Sequence, residues 1–207
     1  MSITLLIVLF TVLVSYQAFN DPVLFNRLTH MPWAEVHRKE YYRLLTSGFV
    51  HGSWLHLLIN MYVFYEFGQY VERQFLLLFG PTMGRIWFLT LYLLTIVMAN
   101  LGTMYKHRHN PTFRSVGASG AVSGVVFAFV LFQPWAMLLL FFIIPVPAIL
   151  AAVLYLVYSS WASRHSHDHI DHDAHFYGAV FGLLFTLFLK PGLFGYFLDQ
   201  LQHGMPF

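Results

Sequence analysis

Long apolar blocks broken by shorter polar ones organise this chain. The first block, ITLLIVLFTVLVSYQAF, runs from about Ile3 to Phe19. A polar stretch from Asn20 to Ser53 follows, carrying charges of both signs and Trp33. Apolar segments resume over about Trp54 to Tyr70 and Ile86 to Met104, pass a basic loop from Lys106 to Arg114, and continue from Ser119 to about Phe132. The run MLLLFFII stops at Pro145 and Pro147, which suit the first turn of a fifth helix reaching about Ser160. HSHDHIDHDA then leads into a sixth helix, from His175 to about Leu189. The pattern predicts an all-α polytopic membrane protein with six spanning helices, in which residues 1–207 form one membrane domain without a separate soluble domain. The first block has no preceding Lys or Arg and no A-x-A site, so it reads as a spanning helix rather than a cleaved signal peptide.

Composition sharpens this picture. Only 10% of the 207 residues are charged against 58% hydrophobic, with a mean hydropathy of +0.63. A soluble domain carries roughly 25% charged residues. A chain this poor in charge cannot clothe its surface with polar groups, so its solvent is lipid. The 22 Phe and 12 Tyr, and Trp near segment ends, fit the same reading. With no Cys there is no disulfide, thiol nucleophile or thiolate metal site. A net charge of +2 without a basic tract gives no reason to expect nucleic acid as a partner.

The fourth segment is too short for its position. About fourteen residues at ~1.5 Å each span roughly 21 Å, less than the ~30 Å apolar core of a bilayer. One end must lie below the membrane surface, where irregular backbone is tolerated only inside protein or beside a water-filled cavity. Ser119, in SVGASGAVSG, stands at that end between Gly117 and Gly120. The glycines allow a tight turn, and a helix N-terminus offers unpaired N–H groups to a developing oxyanion. Small residues here also serve helix packing, for which the Gly120–Gly124 spacing is well suited. His175 opens AHFYGAVFG, with Gly178 and Gly182 clearing one face for a neighbouring helix. A histidine in a spanning segment is a functional candidate by default. If helices four and six meet along their glycines, Ser119 and His175 form a nucleophile–base pair. In HGSWLHLLIN, His56 and Asn60 share a helix face and can donate to an oxyanion or simply bridge helices, and His51 lies just before them. Ser123, one turn beyond Ser119, is given no role.

Taken in order, YYRLLTSGFVHGSWLHLLIN, GASG and AHFYGAVFG resemble the motifs of the rhomboid family of intramembrane serine proteases. The resemblance implies a rhomboid-like six-helix bundle with a short central fourth helix and a long structured first loop. It implies a cofactor-free Ser–His dyad that cuts transmembrane protein substrates in or near their spans. It assigns Ser119 as nucleophile and His175 as base, and makes His56, Asn60 and the Ser119 N–H oxyanion donors. His51 takes a supporting position and Arg43 that of the structural arginine. It places the protein in a bacterial inner (plasma) membrane with cytoplasmic termini and the catalytic side outward. The charges argue the reverse orientation, with Arg27, Arg38, Lys39, Arg43, Lys106, Arg108 and Arg114 outside against Arg73, Arg85 and Lys190 inside. Two positions depart from the family. Ser123 stands where an aromatic ring often packs on the catalytic histidine, so another ring, Tyr177, Phe176 or Phe127, is expected to hold His175. Tyr42 precedes Arg43 where Trp is frequent.

Two other functions compete. His165, His167, His169, His172 and His175, with Asp168, Asp171 and Asp173, make a metal-ligand-rich run that a metal-handling membrane protein could use. The H-E-x-x-H signature is absent, and Glu66 and Glu72 sit only near a helix end, so a solvated acidic loop is the simpler reading and no metal site is assigned. A rhomboid-like protein that binds clients without cutting them is the other alternative, though such proteins typically lack the serine or histidine present here. Substrate identity and oligomeric state are not encoded in these patterns.

Overall fold

The computed structural model describes residues 2–140, 143–166, 168 and 170–204. The chain is mostly helical. Helix α1, Ile3–Asn20, buries Thr4, Thr11, Ser15 and Ala18, with Ile7 as the one large apolar residue among them, and exposes Leu9, Phe10 and Leu13. Small and polar residues inside with large apolar ones outside is the arrangement a lipid solvent selects. Its first turn is held by Glu72, whose carboxylate accepts from Ser2 Oγ, Ile3 N, Thr4 N and Thr4 Oγ1 at 2.6–2.9 Å. A carboxylate there satisfies unpaired donors and complements the helix dipole. Glu72, noted above only for its place near a helix end, is therefore a tether between helices.

The polar stretch folds into short helices, α2 (Pro22–Leu28), α3 (Pro32–His37), α4 (Arg43–Thr46) and a 3₁₀ turn (Ser47–Phe49). The long element α5, Trp54–His107, is broken at Gly80, whose φ of 79° is followed by Pro81. A Cβ at Gly84 would lie 2.5 Å from the Phe75 carbonyl, nine residues back. A straight helix separates such residues by ~13 Å, so the two limbs, 54–79 and 81–107, fold back on each other. Phe64 accordingly packs on Tyr92 with ring centroids 4.7 Å apart.

Helix α6, Ser119–Phe132, buries every residue except Ser119 and Val126. The expectation for the next segment is corrected. Pro145 and Pro147 lie in β2 (Ile144–Pro147), paired antiparallel with β1 (Met137–Leu140), rather than in the first turn of a helix, although Pro147 is also the N-cap of the helix that follows. In a two-stranded ribbon each strand has a free edge, where a residue without N–H is tolerated. Helix α7 then runs Ala148–His165, and α8 runs His172–Leu189, starting three residues before His175. Helix α9, Gly192–His203, turns away from α8 by 113° and was not foreseen.

Among the described residues two helices, α1 and α5, are long and apolar enough to cross a membrane, and α8 with α9 makes a third if the bent pair is one span. The protein is an integral membrane protein.

Candidate active site

The seam between α6 and α8 is built from four glycines. A Cβ on Gly178 would fall 2.1 Å from the Gly120 carbonyl oxygen, and one on Gly182 would fall 2.3 Å from Gly124 Cα. The two backbones are thus in direct contact. On its other side α6 meets the second limb of α5, where a Cβ on Gly120 or Gly124 would collide with Ala99 or Thr95. This contact carries Ser119 and His175 to the same end of the seam. Their Oγ and Nε2 atoms are 2.7 Å apart, a direct hydrogen bond.

Asp171 sets the start of α8. Its Oδ1 caps Ala174 N at 2.9 Å and accepts from Thr103 Oγ1, while Oδ2 accepts from Ser115 Oγ. One carboxylate therefore ties the His175 helix to α5 and to the segment leading into Ser119. That segment is also bridged to the first loop, where His30 and Ser115 exchange backbone hydrogen bonds of 3.1 and 3.2 Å. Sequence reasoning counted Asp171 only as a loop acid. The missed signal was its place as a capping residue three positions before Ala174.

His51 works through the backbone ahead of Ser119. Its Nε2 accepts from Ala118 N at 3.3 Å, which leaves the proton on Nδ1 to donate to Ser15 Oγ at 3.0 Å. Ser15 in turn donates to the Phe49 carbonyl at 3.0 Å. Burial, with neighbouring His56 adding to it, pushes the His51 imidazole down to about 3, which keeps the accepting nitrogen unprotonated. The His56 ring packs edge-on to His51 and against Gly117, where a Cβ would lie 2.9 Å from His56 Nε2. Gly117 has φ of 125°, so both its conformation and its space exclude a side chain. Asn60 is buried and gives one amide hydrogen to its own helix, at His56 O, 2.9 Å away.

Arg43 sits apart from this cluster. Its Nη1 donates to the carbonyls of Asn26, Arg27 and Thr29 at 2.6–3.0 Å, and its Nε to Glu40 at 2.6 Å. The guanidinium also lies 5.4 Å over the Tyr42 ring, so the Trp-to-Tyr departure keeps an aromatic partner. It holds the first loop in shape. A cavity of about 20 Å³, room for about one water, borders Ser119 and is lined by Ser47, Asn100, Ser115 and Asp171 among others.

The ring expected on His175 is not Tyr177, Phe176 or Phe127. Residues 176 and 177 are rotated ~100° and ~200° around the helix from His175, and Tyr177 faces Gly102 instead. Phe127 lies two turns along α6 and packs behind the ring actually found. That ring is Tyr155 of α7, stacked on the imidazole at 6.0 Å between centroids and 25° between planes. Ser123 is not idle either, since it hydrogen-bonds the Tyr155 hydroxyl.

Within the His/Asp-rich run His172 Nε2 contacts the Asp168 carboxylate at 3.2 Å, and the other described members have partners outside it. Asp171 serves the cap, Asp173 pairs with Lys106 at 2.6 Å, and His165 contacts the Trp161 carbonyl. His167 and His169 lie outside the described residues. Among the described residues no group of three or more His, Asp or Glu side chains is placed to hold a metal ion.

Comparison with known proteins places this constellation in a lineage. RHOMBOID-like protein 12, mitochondrial, of Arabidopsis thaliana is 26% identical over 194 residues, covering 88% of this chain and 56% of that protein. Rhomboid-like protein 11, chloroplastic, of the same plant is 36% identical over 85 residues, covering 41% of this chain and 27% of its own length. Rhomboid protease GlpG of Haemophilus influenzae is 32% identical over 108 residues, covering 52% and 49%. The chain thus spans about half or less of the length of these curated relatives. Their names point to a mitochondrion, a chloroplast and a bacterium, so kinship supports an integral membrane protein without singling out the bacterial inner membrane. The Rhomboid domain model matches residues 38–192, a stretch that holds both the α6–α8 seam and the loop bearing Arg43 and His51. This chain belongs to the rhomboid family.

Proposed function

We propose that this protein is an intramembrane serine endopeptidase that cuts other membrane proteins in or near their spans. One observation carries the reading: the 2.7 Å hydrogen bond from Ser119 Oγ to His175 Nε2 at the mouth of a glycine seam. On this reading the chain passes the membrane six times, by α1, the two limbs of α5, α6, α7 and α8, with α6 starting below the membrane surface. His175, with Nε2 unprotonated, takes the Ser119 proton as Oγ attacks the scissile carbonyl carbon. The oxyanion is received by the Ser119 N–H, unpaired at the helix start, by His56, and by the second amide hydrogen of Asn60. The proton on His175 passes to the leaving amine, leaving an ester on Ser119. A water, for which the small cavity beside Ser119 has room, then attacks that ester and gives its proton to His175, which passes it to the departing Ser119 Oγ as the acid is released.

The substrate must present an unwound bond. A peptide group inside a regular helix is shielded by its own i→i−4 hydrogen bond, so Gly or Pro near the scissile bond should favour cleavage. A small residue before the bond suits the glycine-lined site. The test uses purified protein with a single-pass substrate in liposomes and a serine-directed fluorophosphonate. Wild type should label and cut, and should cut several-fold slower when leucines replace the helix breakers. Ser119→Ala should do neither while remaining folded. Cleavage surviving in Ser119→Ala would end the serine-protease reading, and a labelled protein that cuts no substrate would favour the client-binding alternative.

The oxyanion donors are checked separately. His56→Ala and Asn60→Ala should each lower kcat by about 10²–10³ with a smaller change in KM, the usual loss for one such donor. An unchanged kcat in both variants and in their combination would assign the pair to packing.

A further inference from the structure

Tyr155 and Ser123 close a ring of contacts that begins and ends on Ser119. Ser123 Oγ lies 2.8 Å from the Ser119 carbonyl oxygen, and its single hydrogen must go there, because a carbonyl cannot donate. The Tyr155 hydroxyl is therefore the donor in its hydrogen bond to Ser123. Tyr155 stacks on the His175 imidazole, and His175 reaches back to Ser119 Oγ. Backbone, two hydroxyls, one ring and one imidazole thus fix each other in sequence.

The stacking belongs to a matched register between two helices. On α7 the tyrosines at 155 and 158 are three apart, and on α8 the histidines at 172 and 175 are three apart. Tyr155 meets His175, and Tyr158 meets His172 edge-on at 5.5 Å. Phe127 of α6 also packs on Tyr155, with ring centroids 5.9 Å apart, so the tyrosine ring contacts α6 as well as the imidazole. Only Tyr155 is also anchored on the Ser119 helix itself, through Ser123.

We propose that Tyr155, anchored by Ser123, is the positioning residue that holds the His175 imidazole in line with Ser119 Oγ. This rests on the Ser119–His175 reading. An imidazole free to turn about its side-chain bonds would spend most of its time out of reach of Oγ. Misplacement of a reacting group by about 1 Å can cost on the order of 10²-fold in rate. The aromatic support of the base therefore comes from α7, across the helix interface, while position 123 of α6 supplies the hydroxyl that seats it.

The experiment measures kcat, KM, fluorophosphonate labelling rate and thermal unfolding in a set of variants. Tyr155→Leu, which keeps apolar bulk but loses the flat ring, should lower kcat and labelling about 10²-fold with KM within about threefold of wild type. Tyr155→Phe, which keeps the ring, should stay within about tenfold of wild type, as should Ser123→Ala, which removes only the anchor. The decisive variant carries Ser123→Tyr together with Tyr155→Ala. It returns a ring to the same space from the α6 side and should recover at least about tenfold over Tyr155→Ala alone. A Tyr155→Leu protein with wild-type kcat would overturn the proposal. So would a folded double variant no faster than Tyr155→Ala. If Tyr155→Ala does not fold, Tyr155→Leu against Tyr155→Phe decides, and equal rates in those two overturn it. A wild type that fluorophosphonate does not label ends the dyad reading and this proposal with it, whereas a labelled wild type with unaffected Tyr155 variants ends this proposal alone.

Discussion

Replacing His175 by alanine should stop cleavage, with a loss on the order of 10⁶ in kcat, the scale seen when one member of a serine–base unit is removed. Serine hydroxyls are poor nucleophiles, and Ser119 Oγ has one base in hydrogen-bonding reach, His175 Nε2 at 2.7 Å. The two residues act as a unit, so Ser119→Ala combined with His175→Ala should cost no more than either alone. The pH dependence has a definite sign. Nε2 must be unprotonated to accept the serine proton, so kcat/KM should fall as pH drops through the imidazole pKa and level off above it. His165→Ala, distant from Ser119 and held on the Trp161 carbonyl, should leave the rate unchanged, and chelators should have no effect. His172 is not an equivalent control, because its ring meets that of His175 edge-on at 5.9 Å. Measurable turnover at more than about 1% of wild type in His175→Ala, or loss of activity to a chelator, would overturn the dyad and return the histidine run to consideration as a metal site.

What could be read from the sequence was what depends on local spacing. Glycine pairs four apart on two segments announced the close contact that α6 and α8 make, and α6 has the fourteen residues read from its pattern. The glycine contact suffices to put Ser119 and His175 together. The ring on His175 was not legible, because Tyr155 reaches it from a helix whose register against α8 no local pattern reports. The same holds for Glu72, which caps α1 from nearly seventy residues away, and for Asp171, which joins three segments at once. Each is a polar residue whose meaning lies in its partners. The strand at Pro145 and Pro147, just ahead of the helix that Pro147 caps, was missed for a different reason. Proline opens helices and sits on exposed strand edges equally well, so its presence marks a boundary without naming the element. A break somewhere between about Tyr70 and Ile86 was legible, but its place at Gly80 and its tightness depend on a positive φ that only the folded chain reveals.

Gly178→Ala should damage both folding and chemistry, although it adds a single methyl group. That methyl would lie 2.1 Å from the Gly120 carbonyl oxygen and 2.7 Å from its carbon. Both are backbone atoms, so no side chain can swing aside, and α6 and α8 must separate by an ångström or more. Overpacking of this kind costs about 1–3 kcal/mol or more, enough to lower Tm by several degrees. Gly182→Ala makes the same collision one turn along, 2.3 Å from Gly124 Cα. The two changes strain one interface. Once the first has opened it, the second meets less resistance, and the double variant should lose less than the sum of the singles. Activity should suffer beyond stability, because Gly120 directly follows Ser119 and Gly178 lies one turn from His175. Any separation there lengthens the Oγ–Nε2 hydrogen bond, and a shift of about 1 Å is worth on the order of 10²-fold in rate. Gly192→Ala and Gly195→Ala are the controls, since a Cβ at either position meets nothing within 4 Å. Thermal unfolding in detergent and cleavage of the single-pass substrate, measured at a temperature where all variants are folded, separate the two effects. A Gly178→Ala protein with wild-type Tm and rate would mean that the α6–α8 seam is looser than its backbone contacts require. The glycines would then be incidental to how Ser119 and His175 meet.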